Sequence, residues 1–423
     1  MKTVGIIAEF NPFHKGHEYL IRTLKKETGS DYAVIVMSGD YTQRGAPAIF
    51  DKYTRTKMAL LSGADLVLEL PIYYSTSSAE FFAGGAISIL NGLSCVDYLG
   101  FGSESGDLKS MQKIAGILAE EPSDFSTILK ESLKSGKSYA AARSAALSSF
   151  AGTNSSIISN PNDILGTEYI RALLLQGSNI EPISIKRIGA GYNDDTLSND
   201  SDAFSSAKAI RSALESCEDV TSDLDTIMSK LPIEVYKLMA RMNSQGNLQT
   251  TSCDDFSELL HYKLLSEKSS GFDKYLDVSP DLSDKIIRRL SEYTTFSEFV
   301  MKLKSKDLTY ARISRALLHI LLNMTSEKMN IYTNDRKNFL SYARILGFNK
   351  SASPLMKKIQ ECSRIPVISK LSDSYKALDA DSYMLLSETI AASNIYDLIR
   401  GADIINEYAK QVIISSDTCT PQG

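Results

Sequence analysis

The feature that most limits what this chain can become is an alternation running through its first two hundred residues. Near-continuous apolar stretches recur: TVGIIAEF at 3–10, YAVIVMSG at 32–39, DLVLELP at 65–71, VDYLGFGSESG at 96–106 and EPISIKRIG at 181–189. Between them lie segments with helical spacing, among them GHEYLIRTLKKE at 16–27, DKYTRTKMALLSG at 51–63 and SSAEFFAGGAISILNGL at 77–93. Strands that are apolar on both faces need cover on both faces, which is the pattern of a parallel sheet flanked by helices. The crossovers of such a sheet are right-handed, and its ligands sit beyond the carboxyl ends of the strands. Asp51 is placed to cap the second helix and Gly63 to end it.

A second regime begins near residue 217. LPIEVYKLMARM, ELLHYKLLSEK, DKIIRRLSEY, YARISRALLHILLNM and KNFLSYARILGF all carry helical patterning, and no series of strands follows. At 423 residues the chain exceeds what one ordinary core holds. The expected architecture is α/β, with a Rossmann-like parallel-sheet domain at 1–216 followed by an all-helical domain at 217–423. Five scattered cysteines without a CxxC pair argue against a disulfide framework or a zinc site. No run approaches the roughly 20 apolar residues of a membrane span, and the N-terminus opens on a strand rather than a signal peptide. A cytoplasmic location without a membrane partner is expected.

The chain has only four histidines, and His14 and His17 stand three apart where the first strand gives way to the first helix. A helix N-terminus after a parallel strand presents free N–H groups and the positive end of the helix dipole, a ready anion site. Residues three apart share a helix face, and Gly16 lets a ligand approach the backbone. Together His14, Gly16 and His17 suit a triphosphate, with imidazole donors stabilising charge that grows during attack at the α-phosphorus. The plain alternative is two surface histidines at a cap. Chance produces H-x-G-H in a chain this long with a probability on the order of one in a hundred.

HKGH after a first strand resembles the H-x-G-H signature of the nucleotidyltransferase superfamily, which includes adenylyltransferases and class I aminoacyl-tRNA synthetases. That superfamily has a second signature, Ser-Ser-Thr, two residues and Arg, at the start of a late helix. FSSAKAIRS at 204–212 is similar to it through Ser205, Ser206 and Arg211, with Ala207 in place of Thr. By itself this stretch also reads as a serine-capped helix. Longer segments are closer still. GIIAEFNPFHKGHEYLI, VMSGDYTQRGAPAIFDKYTRTKMAL, GADLVLELP, FGSESGD, SNPNDILGTEYIRAL and IKRIGAGYND resemble the tRNA(Met) cytidine acetate ligase family. One departure is Ala46, where that family is expected to carry Glu.

The resemblance implies a nucleotidyltransferase fold and an enzyme that activates acetate with ATP as acetyl-adenylate. The acetyl group would then pass to the wobble cytidine of elongator tRNA(Met), giving N4-acetylcytidine. His14, His17, Ser205, Ser206 and Arg211 would be catalytic. ATP would contact the first loop through Ile7, Ala8, Glu9, Phe10, Asn11, Pro12 and Phe13, then His14, Lys15, Gly16, His17, Glu18, Tyr19 and Leu20. Further contacts would come from Gly102, Asn162, Arg187 and Ile188. Asn162 reads equally as a helix cap, and Arg187 as a surface ion-pair partner. Mg²⁺ would accompany the triphosphate without a protein cage of its own, so no metal-ligating residues are expected. The loop after the second strand would hold acetate or cytidine through Asp40, Gln43 and Arg44. Arg44 is foremost there, since a small carboxylate needs a cation or amides; it also reads as a turn residue.

Charge distribution bears on the tRNA. Residues 251–300 hold 6 Lys/Arg against 10 Asp/Glu, whereas 301–350 hold 10 against 3. A swing of that kind inside an acidic protein fits a polyanion site. The candidate contacts are Lys302, Lys304, Lys306, Arg312, Arg315, Arg336, Lys337 and Arg344, with Tyr310, Tyr332 and Tyr342 interleaved for stacking on unpaired bases. A solvated helix face is the alternative. His261 and His319 sit in apolar runs and read as core residues. Two rival functions remain open at this level: an adenylyltransferase acting on a small phosphorylated metabolite, and a non-catalytic ATP-sensing tRNA-binding protein.

Overall fold

The computed structural model of the protein describes residues 1–135, 139–151, 157, 159–187, 206–215, 227–333, 339–401 and 407–416. The first half holds β1 (Thr3–Ala8), α1 (Lys15–Thr28), β2 (Tyr32–Ser38), α2 (Lys52–Leu61), β3 (Leu66–Leu70), α3 (Ala79–Gly92) and β4 (Tyr98–Ser103). It continues through α4 (Leu108–Glu120), α5 (Ser123–Lys134), α6 (Tyr139–Ala151), α7 (Pro161–Leu175), β5 (Glu181–Lys186) and α8 (Ala207–Glu215). The second half holds α9 (Ile233–Ser244), α10 (Ser257–Glu267), α11 (Pro280–Arg289), α12 (Phe296–Leu303), α13 (Tyr310–Leu321) and α14 (Ser326–Tyr332). It ends with β6 (Ala343–Asn349), α15 (Ser353–Cys362), β7 (Val367–Ile368), α16 (Ala380–Ile399) and β8 (Ile413–Ser415).

The sheet runs in the order β5-β4-β1-β2-β3-β6-β7, with β8 also on β6. Strands β1 to β5 are all parallel, as the apolar runs predict. Because side chains alternate across a strand, β2 feeds both faces. Val34 and Val36 join one apolar cluster with α3 and α7, while Ile35 and Met37 join another with α1 and α2. Helix α1 lies so close against β4 that a Cβ on Gly100 would collide with a Leu24 methyl. Asp51 caps α2 as expected, accepting the N–H groups of Tyr53 and Thr54 at 3.0 and 2.9 Å. The chain order reverses between β1 and β4, so the crevice at their carboxyl ends is the topological switch point.

The α/β expectation holds, but the second half is not all-helical. The stretch ARILGFN, read above as helix, is strand β6, antiparallel to β3 with Glu69 opposite Arg344. A short buried apolar run carries no period that separates helix from strand, and β7 and β8 are too short to show one. The boundary placed at 216/217 falls within 216–226, outside the described residues.

Four buried ion-pair contacts among two cations and two carboxylates fasten this seam. Lys52 Nζ lies 2.7 Å from Glu69 Oε1 and 2.5 Å from Glu407 Oε1. Arg344 reaches Glu69 Oε2 at 2.5 Å and Glu407 Oε1 at 2.7 Å. All four side chains are nearly inaccessible. Burial opposes the Glu407 charge, yet Lys52 and Arg344 outweigh it and hold that carboxyl far below its usual range. Among the described residues no helix is long and apolar enough to cross a membrane.

Candidate functional site

The corner after β1 explains its own composition. His14 is the N-cap of α1: its Nδ1 accepts the Gly16 N–H at 3.0 Å, while His17 Nδ1 accepts the His14 N–H at 3.3 Å. The pair thus forms a capping box built from two imidazoles. Residue 16 must be glycine for this, since a Cβ there would lie 2.9 Å from His14 Cε1. The rings stack at 3.8 Å between centroids and 25° between planes, and Phe10 meets His17 edge-on at 4.9 Å. Burial, reinforced by Arg187 and Arg211, lowers His14 to about 3. Burial, His14 and Arg187 likewise hold His17 well below its usual value. Both rings are therefore neutral near pH 7. With Nδ1 accepting, the ring proton sits on Nε2, so each ring has one N–H left to donate.

This arrangement makes acid costly. An unfolded His14 takes up a proton below about pH 6.5, whereas the folded one resists it down to about pH 3. Stability then falls as pH drops through that window, by about 1.4 kcal/mol per unit from this residue. Urea unfolding across the window should show a shallower loss for His14→Asn, which keeps a capping acceptor and removes the titrating ring.

Both histidines line a cleft of about 310 Å³ at the carboxyl ends of β1, β4 and β5. Most of the first-loop candidates are on its wall: Ile7, Ala8, Glu9, Phe10, Asn11, Gly16, Tyr19 and Leu20. Pro12, Phe13, Lys15 and Glu18 are not, and Phe13 is wholly buried in the α1–α2 core. Gly102 and Arg187 face each other there, 3.5 Å separating the Arg187 Cγ from a notional Cβ on Gly102. Asn162 also lines the wall, but its Nδ2 donates to Glu104 Oε1 at 2.6 Å. Glu104 also accepts the N–H groups of Asn162 and Asp163 at 3.2 and 3.1 Å, so the start of α7 already has its anion.

Helix α8 brings a second N-terminus to the cleft. Ser206 caps it, accepting the Ala209 N–H at 3.0 Å, and Ser206, Ala207, Lys208 and Arg211 all reach the cleft. Arg211 Nη1 donates to the Asn11 carbonyl at 2.5 Å, tying this helix to the first loop. Three residues separate Ala207 from Arg211, so counting back from the arginine puts Lys208, not Ala207, at the threonine position of the signature. Ser205 and Ile188 lie outside the described residues. Sequence reading passed over Lys186, although it adjoins Arg187. It also missed Thr251, Ser252 and Cys253, which come from the second half and carry no motif that ties them to this wall.

The loop after β2 forms the opposite wall through Thr42, Gln43, Arg44, Ala46 and Pro47. Asp40 does not belong to it. Its carboxylate is buried, accepts the Lys52 N–H at 2.8 Å and lies 3.7 Å from Lys52 Nζ. Burial raises its pKa against the pull of Lys52, and its position is structural. The loop is held from two sides. Gly45, at φ +75°, leaves no room for a Cβ, which would collide with the backbone nitrogen of Arg315 in α13, and its carbonyl accepts from Ser314 Oγ at 2.8 Å. Tyr41 donates to the Ala392 carbonyl at 3.2 Å, and Tyr396 to the Ala48 carbonyl at 2.7 Å.

The basic stretch divides. Lys304, Lys306 and Arg312 are exposed, with Tyr310 beside them. Lys302 is half-buried and donates to the Glu292 carbonyl. Arg315 is paired with Asp277 at 2.9 Å, and Arg344 belongs to the buried quartet described above. Tyr332 and Tyr342 are buried and cannot stack on a base. Arg336 and Lys337 lie outside the described residues. The expectation overcounted because charge alone does not distinguish a seam from a surface. His319 is a core residue as expected, within 3.0 Å of the Leu276 carbonyl. His261 is only half-buried, stacked on Tyr293 at 4.4 Å.

A sequence model of the HIGH Nucleotidyl Transferase family matches residues 1–411. The tRNA(Met) cytidine acetate ligase of Clostridium perfringens is 37% identical over 415 residues, covering 96% of this chain and 97% of that protein. Two crystal structures of TmcAL from Thermotoga maritima superpose on 99% of this chain and 100% of theirs at 29% identity. The apo form gives a TM-score of 0.90 and the form bound with alpha-thio ATP gives 0.88.

Proposed function

This chain belongs to the tRNA(Met) cytidine acetate ligase family, within the HIGH nucleotidyl transferases, and from that premise we propose an ATP-dependent route from acetate to N4-acetylcytidine. The enzyme is a ligase. Acetate attacks the α-phosphorus of ATP, pyrophosphate leaves and acetyl-adenylate forms. The amine of the wobble cytidine of elongator tRNA(Met) then takes the acetyl group and AMP departs. The observation that carries this reading is the cleft itself. Two neutral histidines with Nε2–H donors and two helix N-termini, those of α1 and α8, line one crevice at the switch point of the sheet.

Nucleotide phosphates would lie over His14, His17, Arg187, Lys208 and Arg211, with Gly102 letting the nucleoside approach β4. Arg44 and Gln43 would face the acetate and the cytidine. Mg²⁺ would travel on the triphosphate and water rather than in a protein cage, because Glu9 is the only carboxylate on the wall among the described residues. The direct test supplies ATP, labelled acetate and total tRNA, then digests the tRNA to nucleosides. Labelled N4-acetylcytidine is the expected product. Transfer of AMP to a metabolite, or ATP-dependent tRNA binding without turnover, would overturn the assignment.

Lys304, Lys306 and Arg312 form the exposed part of the basic stretch, at and before the helix that buttresses the Gly45 loop, and would hold tRNA phosphates. Changing all three to Ala should weaken tRNA binding. The slope of log affinity against log salt should flatten by about 0.7–0.9 for each phosphate no longer neutralised. Filter binding across a salt series measures both, and an unchanged slope would remove these residues from the interface.

A further inference from the structure

The transfer half of the proposed reaction has a requirement that the activation half lacks. When the cytosine amine attacks the acyl carbon it must shed a proton, and a positioned base speeds such a step by about 10²- to 10⁴-fold. His14 and His17 are unsuited. Each Nδ1 already accepts a backbone N–H, and burial beside Arg187 resists any further proton on either ring. Lys186, Arg187, Lys208 and Arg211 are cations. The phenols of Tyr19 and Tyr169 and the Cys253 thiol must each give up a proton before they can take one.

Glu9 is what remains on the described wall. It follows the last residue of β1, half-buried, and its position is fixed on both sides. Its Oε1 accepts the Gln43 N–H at 2.7 Å, and its own carbonyl accepts from Arg55 Nη1 at 2.6 Å. Arg55 is fully buried and also donates to the carbonyls of Ser38 and Gly39, locking the ends of β1 and β2 together. The carboxylate therefore stands where the nucleotide side of the cleft meets the loop bearing Gln43 and Arg44. A base for the second substrate has to stand at that junction.

We infer that Glu9, besides any contact it makes with the nucleotide, accepts the proton of the cytosine amine during acetyl transfer. The inference rests on the reaction proposed above. In the step, the amine nitrogen bonds to the acetyl carbon, and the electron pair of the acyl–oxygen bond leaves with AMP. The N–H proton passes to the Glu9 carboxylate and then to solvent, which restores the base.

Glu9→Gln tests this, since the amide oxygen still accepts the Gln43 N–H. The enzyme with ATP and labelled acetate is assayed in two ways: hydroxylamine trapping of acetyl-adenylate, and acetylcytidine formed in tRNA. Whatever hydroxamate formation loses through the nucleotide contact, tRNA acetylation should fall about 10²–10⁴-fold further at unchanged tRNA affinity. Glu9→Asp should restore part of the transfer. An equal fold-loss in the two assays would overturn the inference by confining Glu9 to ATP or its metal, and undiminished acetylcytidine would overturn it directly. Failure of the wild-type enzyme to make acetylcytidine sinks the proposed reaction instead, so the two failures are separable.

Discussion

His14→Asn and His17→Gln should each slow acetyl-adenylate formation by about 10²–10³-fold, the loss seen when one preorganised donor to a developing oxyanion is removed. These substitutions isolate the chemistry from the fold. Asn is among the best N-cap residues, so position 14 can still accept the Gly16 N–H that His14 Nδ1 accepts at 3.0 Å. Gln at the third helical position completes a standard capping box, which replaces the His17 acceptor 3.3 Å from the His14 nitrogen. Neither replacement puts an N–H donor where Nε2 stood. Acetate-dependent exchange of pyrophosphate into ATP measures the step, and thermal unfolding checks the fold. Normal exchange in both variants would reduce the pair to a helix cap.

Lys52→Met should destabilise the protein by about 3–5 kcal/mol, the cost of leaving buried charges without their partner. Lys52 Nζ contacts Glu69 Oε1 at 2.7 Å, Glu407 Oε1 at 2.5 Å and Ser393 Oγ at 2.8 Å, in a site closed to water. Burial alone would discharge the lysine; Glu69, Glu407 and Asp40 reverse that and raise its pKa. Methionine fills the volume but leaves Glu69 with Arg344 as its one remaining cation and Glu407 with Arg344 and Lys410. Adding Glu407→Gln to Lys52→Met should cost less than the sum of the single changes, because one uncompensated charge goes too. Guanidinium unfolding of the four proteins measures the coupling. Strict additivity would show that the quartet does not act as a unit.

What the sequence revealed follows from how local each signal is. Strands β1 to β5 announce themselves because each is a continuous apolar run between amphipathic helices, and HKGH is legible because all its parts sit within four residues. Strand β6 hides because its identity is settled by β3, nearly three hundred residues earlier in the chain. The same distance explains Arg344. As a letter in a basic stretch it reads as a phosphate contact, whereas Glu69 and Glu407 claim it in space. Asp40 was misplaced for a related reason: its loop does reach the cleft, but its own side chain turns toward Lys52. Thr251, Ser252 and Cys253 show the limit most plainly, since nothing in their neighbourhood mentions the nucleotide corner.

The join between β3 and β6 also governs how this protein can be taken apart. A boundary drawn where the strand–helix alternation ends suggests a catalytic piece that could be cut free, swapped or produced alone. A piece ending at 216 would lack Arg344 and Glu407 and strand Lys52 beside Glu69. It would bare the edge of β3 and free the Gly45 loop from both α13 and α16. In modular terms the nucleotide corner is not a cassette. The loop after β2 is braced by the segment that reads as an accessory, so a cut between the two halves removes its support.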